Sequence, residues 1–88
     1  MQYMIIETFR NGPSQVYERF RAKGRMAPEG LQYDSSVVTE DGHRCFQLMT
    51  CDDRSLIDQW IANWSDIVDF EVIPVITSAE AAAAFGPR

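Results

Sequence analysis

Eighty-eight residues suffice for one domain and not for two, and 45% hydrophobic against 24% charged residues is the composition of a globular chain rather than a disordered one. A net charge of −5 with a pI near 4.6 argues against nucleic acid and acidic membranes as partners, because such binding is driven by basic residues that displace counterions. No stretch approaches the roughly 18 apolar residues of a membrane helix, and residues 1–10 lack the basic leader and cleavage site of a signal peptide, so a soluble, cytoplasmic protein is expected.

Residues 3–9 alternate as a strand, with Met4, Ile6 and Thr8 on one side and Tyr3, Ile5, Glu7 and Phe9 on the other. Both sides are largely apolar, so both are expected to be covered. Asn11-Gly12-Pro13 reads as a turn with Pro13 in the first helical position. The helix that follows to about Lys23 carries the stripe Val16, Tyr17 and Phe20 and stops at Gly24. The basic residues Arg10, Arg19, Arg21, Lys23 and Arg25 read as a solvated helix face rather than a phosphate-binding patch.

After an irregular connection over residues 25–30, a second strand runs over residues 31–39, and Asp41-Gly42 between two β-rich runs predicts a two-residue type I′ hairpin. That register sets Val38 opposite Cys45, Ser36 opposite Gln47 and Asp34 opposite Met49. Leu31, Tyr33, Val37, Phe46 and Leu48 form the greasier side and are expected beneath the helices. Asp34, Ser36, Val38, Cys45, Gln47 and Met49 form a mixed side that suits a cleft wall or a dimer interior.

Asp52 or Asp53 is placed to cap a second helix with the stripe Leu56, Ile57, Trp60, Ile61 and Trp64. A last strand over residues 67–76 must lie at an edge or leave the sheet at Pro74, which cannot donate to a ladder. Thr77-Ser78-Ala79-Glu80 is a capping box opening a short C-terminal helix, residues 77–86. Cys45 and Cys51 are six residues apart on one strand, about 20 Å at ~3.3 Å per residue, too far to pair. Two free thiols fit a reducing cytosol, and both read as core-filling.

The order is that of an α+β, ferredoxin-like β-α-β-β-α-β domain with a C-terminal helix, one domain over residues 1–88. Two helices cover one face of such a sheet. The other face, expected to carry Ile5, Val38 and Met49, is too apolar for a monomer, so a homodimer paired sheet to sheet is predicted, a dimeric α/β barrel.

The stretches Tyr3-Met4-Ile5-Ile6-Glu7, Gly24-Arg25-Met26-Ala27-Pro28-Glu29-Gly30-Leu31, Arg44-Cys45-Phe46-Gln47-Leu48-Met49 and Val68-Asp69-Phe70-Glu71-Val72-Ile73-Pro74-Val75 together resemble a family of short bacterial proteins of unknown function. The resemblance covers nearly the whole chain and implies membership of the dimeric α/β-barrel superfamily, which includes small monooxygenases, haem-degrading enzymes, lactone isomerases and proteins without known activity. It implies fold and dimer more than chemistry, since one fold hosts unrelated functions. The haem-degrading members carry an asparagine on the first strand and a histidine on the second helix; here the strand has Glu7 and the helix has no histidine.

Glu7 is the candidate catalytic residue, a carboxylate amid apolar neighbours that must be paired, protonated or functional. A pair with Arg25, or with an arginine of a second subunit, is the structural alternative to general-base work. Arg25, Ser36, Gln47, Met49 and Trp64 are the candidate ligand-binding residues, with cross-strand hydrogen bonding and core packing as the plain alternatives. His43 and Cys45 share strand parity, but a tetrahedral metal site needs four ligands and Cys51 is too far along the strand, so no metal is expected. No phosphate loop, nucleophile elbow or paired-cysteine motif is present, and no cofactor is expected. The leading expectation is a dimer binding a small, partly apolar molecule in a cleft of the sheet. A cofactor-free monooxygenase or isomerase using Glu7 for proton transfer is the first alternative, and a structural or regulatory dimer without ligand the second.

Overall fold

The computed structural model describes residues 1–87. Its elements run β1 (Gln2–Phe9), α1 (Pro13–Lys23), β2 (Gln32–Val38), β3 (Arg44–Thr50), α2 (Ser55–Ala62), β4 (Val68–Val75) and α3 (Ser78–Phe85). The strands form one antiparallel sheet in the order β2-β3-β1-β4, the ferredoxin-like arrangement. Pro74 sits on β4, an edge strand, where its missing donor costs no ladder bond on the outer side. The local stops and starts are those written in the residues. Pro13 opens α1 after Gly12, Gly24 (φ 70°) closes it with its N–H on the Phe20 carbonyl, and Thr77 and Glu80 complete a reciprocal capping box on α3. Asp53 serves the start of α2, its carboxylate accepting from the Ser55 N–H at 2.9 Å and the Ser55 hydroxyl at 2.7 Å.

The core lies between the sheet and α1 and α2, where Ile5, Met49, Ile57, Trp60 and Val68 are almost wholly removed from water. This corrects the expected assignment of faces. The mixed side, with Cys45, Gln47 and Met49, packs beneath the helices together with Ile5, Glu7 and Phe9, while Val37, Phe46 and Leu48 lie on the open face with Met4, Ile6 and Ile73. Ile5 and Met49 are therefore core residues and not part of a bare face. Alternation on β1 could not decide the matter, because both of its faces are apolar. A crossover between parallel strands has a preferred hand, so the chirality of the β1-α1-β2 connection, and not the tally of apolar residues, selects the covered face.

Two further corrections concern the hairpin. Ser36 faces Gln47 and Val38 faces Cys45 as expected, but the register shifts between Tyr33 and Ser35, so Tyr33 rather than Asp34 stands opposite Met49. This β-bulge turns Tyr33 onto the helix-covered face. The turn is not type I′, since Gly42 (φ 77°) is the one loop residue in the left-handed region. Its N–H donates to the Thr39 carbonyl at 2.8 Å. The Asp41 carboxylate accepts from the Thr39 hydroxyl at 2.7 Å and the His43 N–H at 3.0 Å. These bonds hold Asp41 in ordinary negative φ, which a purely local reading of Asp-Gly does not anticipate.

Candidate functional site

Between the sheet and the two covering helices lies a cavity of about 180 Å³. Its wall from the sheet is made by Glu7 and Phe9 of β1, Cys45 and Gln47 of β3, and Ser36 and Val38 of β2, all of one parity. From α1 come Val16, Tyr17 and Phe20, at the spacing of one helical stripe. Val16 is buried, whereas Tyr17 and Phe20 are about 40% exposed and stand at the rim. Trp60 of α2 and Trp64 just beyond it complete the apolar side.

The polar groups form a row. Gln47 Nε2 donates to Glu7 Oε2 at 3.0 Å, and Gln47 Oε1 accepts from Arg25 Nε at 2.8 Å. The direct Glu7–Arg25 pair raised by the sequence is thus replaced by an amide that bridges the two. Glu7 and Gln47 are 7% and 3% exposed, and burial is what pushes the Glu7 carboxyl up, to about 7. Hydrogen bonds from the Cys45 thiol and from Gln47, together with the Arg25 charge, offset only part of that cost. Cys45 stands directly across the ladder from Glu7. Burial and then the Glu7 charge push its thiol up to about 12, so it is a donor to the carboxylate and not a nucleophile.

Arg25 is placed by tertiary contacts. Its backbone carbonyl accepts from both indoles, Trp60 Nε1 and Trp64 Nε1, each at 3.0 Å. The next residue, Met26, has φ of 60°, a conformation that costs about 1–2 kcal/mol for a residue with a Cβ. It persists because the Met26 side chain packs on the core and its carbonyl accepts from Asn63 Nδ2 at 3.2 Å. The guanidinium lies 3.7 Å from the Tyr33 ring centroid and 5.3 Å from that of Phe20. Tyr33 is in turn hydrogen-bonded to Ser36 through the two hydroxyls at 2.7 Å.

Of the residues singled out by sequence, Glu7, Arg25, Ser36, Gln47 and Trp64 all line this one cavity. Met49 does not; it is 0% exposed, in the core. Val38 and Cys45, on the mixed side expected to suit a cleft wall, line it too, whereas Phe9 of β1 and the α1 stripe Val16, Tyr17 and Phe20 line it without having been expected to. Trp60 had the right spacing to Trp64 but gave no sign that its N–H would be spent on Arg25. His43 is exposed in the hairpin, and no group of three or more His, Cys, Asp or Glu side chains suited to a metal lies among the described residues. A wider depression over α1, near Arg19 and Asp66, offers little to a ligand, since Arg19 and Asp66 satisfy each other bidentately at 2.7 Å.

No helix among the described residues is long and apolar enough to cross a membrane. No curated protein matches the chain, and no solved structure does. The family comparison is decisive where those are silent. Residues 1–88 match the family described as a domain of unknown function, DUF3303, and the chain belongs to that family.

Proposed function

We propose that each chain binds one small, partly apolar molecule in this cavity, and that two chains pair through the open faces of their sheets as a dimeric α/β barrel. The observation that carries the binding reading is the Glu7–Gln47–Arg25 row, which lines open space instead of being enclosed by packed side chains. A buried carboxyl is costly, and an interior needing only stability would be better served by apolar groups of the same shape. The volume of about 180 Å³ is close to the roughly 150 Å³ of a cavity that takes benzene, so the ligand's body is about one ring. Its apolar part would lie against Phe9, Val16, Trp60 and Trp64, and its polar group against the row.

Pairing is supported by the open face, where Val37 is 67% exposed and Ile73 38% exposed beside the half-buried Met4, Ile6, Phe46 and Leu48. An isologous contact would cover this patch on both copies. Helix α3, with no buried residue of its own, is a suitable arm for the partner. A bacterial, cytoplasmic setting agrees with the family resemblance and with two unpaired thiols, both buried. Because cavity and open face are on opposite sides of the sheet, the two halves of this reading stand or fall separately.

A second reading, cofactor-free proton transfer by Glu7, is favoured by its carboxyl titrating near neutral pH. Native mass spectrometry of freshly purified protein tests the main reading, with a dimer carrying a small organic molecule per chain as the expected species. A ligand-free dimer that binds no small apolar probe would point instead to a structural or regulatory role. A single folded subunit at micromolar concentration would end the pairing and leave the cavity untouched. If Glu7→Gln left turnover of a converted substrate unchanged, proton transfer by Glu7 would be ruled out.

A further inference from the structure

The polar row ends in an arginine that forms no salt bridge among the described residues. Among the described residues the arginine–carboxylate pairs are Arg10–Asp69, Arg19–Asp66 and Arg54–Asp58. Arg25 is in none of them, although the chain has 13 acidic residues against 8 lysines and arginines. Its side chain spends one donor, Nε, on Gln47, and its terminal nitrogens donate to no described residue. Yet the guanidinium is stacked against the Tyr33 and Phe20 rings, and the backbone it hangs from is fixed by two indoles donating to its carbonyl. Freezing an arginine forfeits up to about 2 kcal/mol of rotamer entropy. A fork immobilised in this way and left open is preorganised for a planar acceptor that takes two parallel N–H bonds.

Resting on the reading of the cavity as a ligand site, we infer that the ligand is a small carboxylate anion with an apolar body of about one ring, its carboxylate gripped by Arg25 and its body lying against Phe9, Val16, Trp60 and Trp64. A carboxylate fits better than a phosphate. Among the described residues Arg25 is the one cationic residue lining the cavity, and it balances a single negative charge. The second charge of a phosphate dianion would be buried without a partner. Phe20 and Tyr33, each 40% exposed, place the guanidinium at the rim, so the ring points inward and the charge outward.

Glu7 makes this binding depend on pH. The titratable groups that face it are Cys45 from β3, Tyr17 from α1 and Arg25 from the connection, while α2, the turn after it and β4 present Trp60, Trp64 and Phe70. With its carboxyl pushed up to about 7 by burial, Glu7 is mostly uncharged at pH 6 and tolerates an anion nearby. At pH 8.5 it is charged and repels one.

Calorimetric or NMR titration with benzoate and with its neutral isostere benzamide, at pH 6 and at pH 8.5, tests the inference. Benzoate is expected to bind at least tenfold more tightly than benzamide at pH 6, and to lose several-fold in affinity at pH 8.5 while benzamide changes little. Arg25→Gln should erase the preference, and Arg25→Lys should keep part of it. The ratio of the two affinities for the unmodified protein decides the matter even if a variant fails to fold. Equal affinities would overturn the anion and leave the cavity as a binding site. No binding of benzoate, benzamide or cyclohexanecarboxylate at millimolar concentration would overturn both.

Discussion

Glu7 and Asp34 stand on opposite faces of the same sheet, and both accept hydrogen bonds from amide side chains. Burial pushes Glu7 up to about 7, whereas the Thr50 hydroxyl, aided by the Gln2 and Gln32 amides, holds Asp34 below the usual carboxylate range. The difference lies in the water, since Asp34 keeps access to solvent on the uncovered face while Glu7 has exchanged it for one amide, one thiol and a cation reached through Gln47. The covered face stores an unfavourable charge where a ligand could use it, and the open face stores apolar surface where a second copy could use it.

Four substitutions break or sharpen that contrast. The largest effect is expected from Trp60→Ala, which removes a wholly buried ring, its edge contact with Phe70 and one of the two indole donors to Arg25. Chemical denaturation should register a loss of about 3–5 kcal/mol.

Glu7→Gln comes next. The folded-state value is raised from 4.5 to about 7, so the native state holds a proton that the unfolded state releases between those values. The stability tied to that proton is complete below pH about 4.5 and is lost as pH rises towards 7 and just above. At ~1.4 kcal/mol per pH unit the loss is about 3 kcal/mol. Denaturation curves across pH 4 to 8.5 should slope downward for the native sequence over this interval. The slope should flatten in Glu7→Gln, which should be the more stable of the two at pH 8.5.

Gln47→Leu should cost about 1–3 kcal/mol, since it strands Glu7 and frees Arg25 Nε. Because the Gln47 hydrogen bond lowers the Glu7 value, carboxyl-carbon NMR should find Glu7 titrating higher than before. The smallest change is expected on the open face. Asp34→Asn exchanges a solvated, hydrogen-bonded carboxylate for an amide and should cost about 0.5–1 kcal/mol near neutral pH. That difference should shrink in acid, because a depressed carboxylate contributes stability above its unfolded value and loses it as pH falls.

Much of the architecture was legible in the chain. Pro13 and Gly24 bracket α1, Pro74 puts β4 at an edge, and Thr77 with Glu80 opens α3. The candidate site was legible in part, because Glu7, Ser36 and Gln47 share one parity once the hairpin register is set. The bulge beside Asp34 was not: Tyr33 lies under the helices as expected, but on the same face as Gln47 and Met49 instead of the opposite one, and its stacking on Arg25 was missed. Met49 was assigned to a ligand wall for lack of any local sign that the core would close over it.

The residues by themselves determined the elements, their order, their caps and the pairing of Ser36 with Gln47 and Val38 with Cys45, because each follows from interactions a few positions apart or from the period of two along a strand. Tertiary packing decided which face of the sheet the helices cover, and that Gln47 would stand between Glu7 and Arg25. Those outcomes depend on the hand of a crossover and on which distant side chains compete for the same donors. A one-dimensional pattern of apolar and polar residues carries neither.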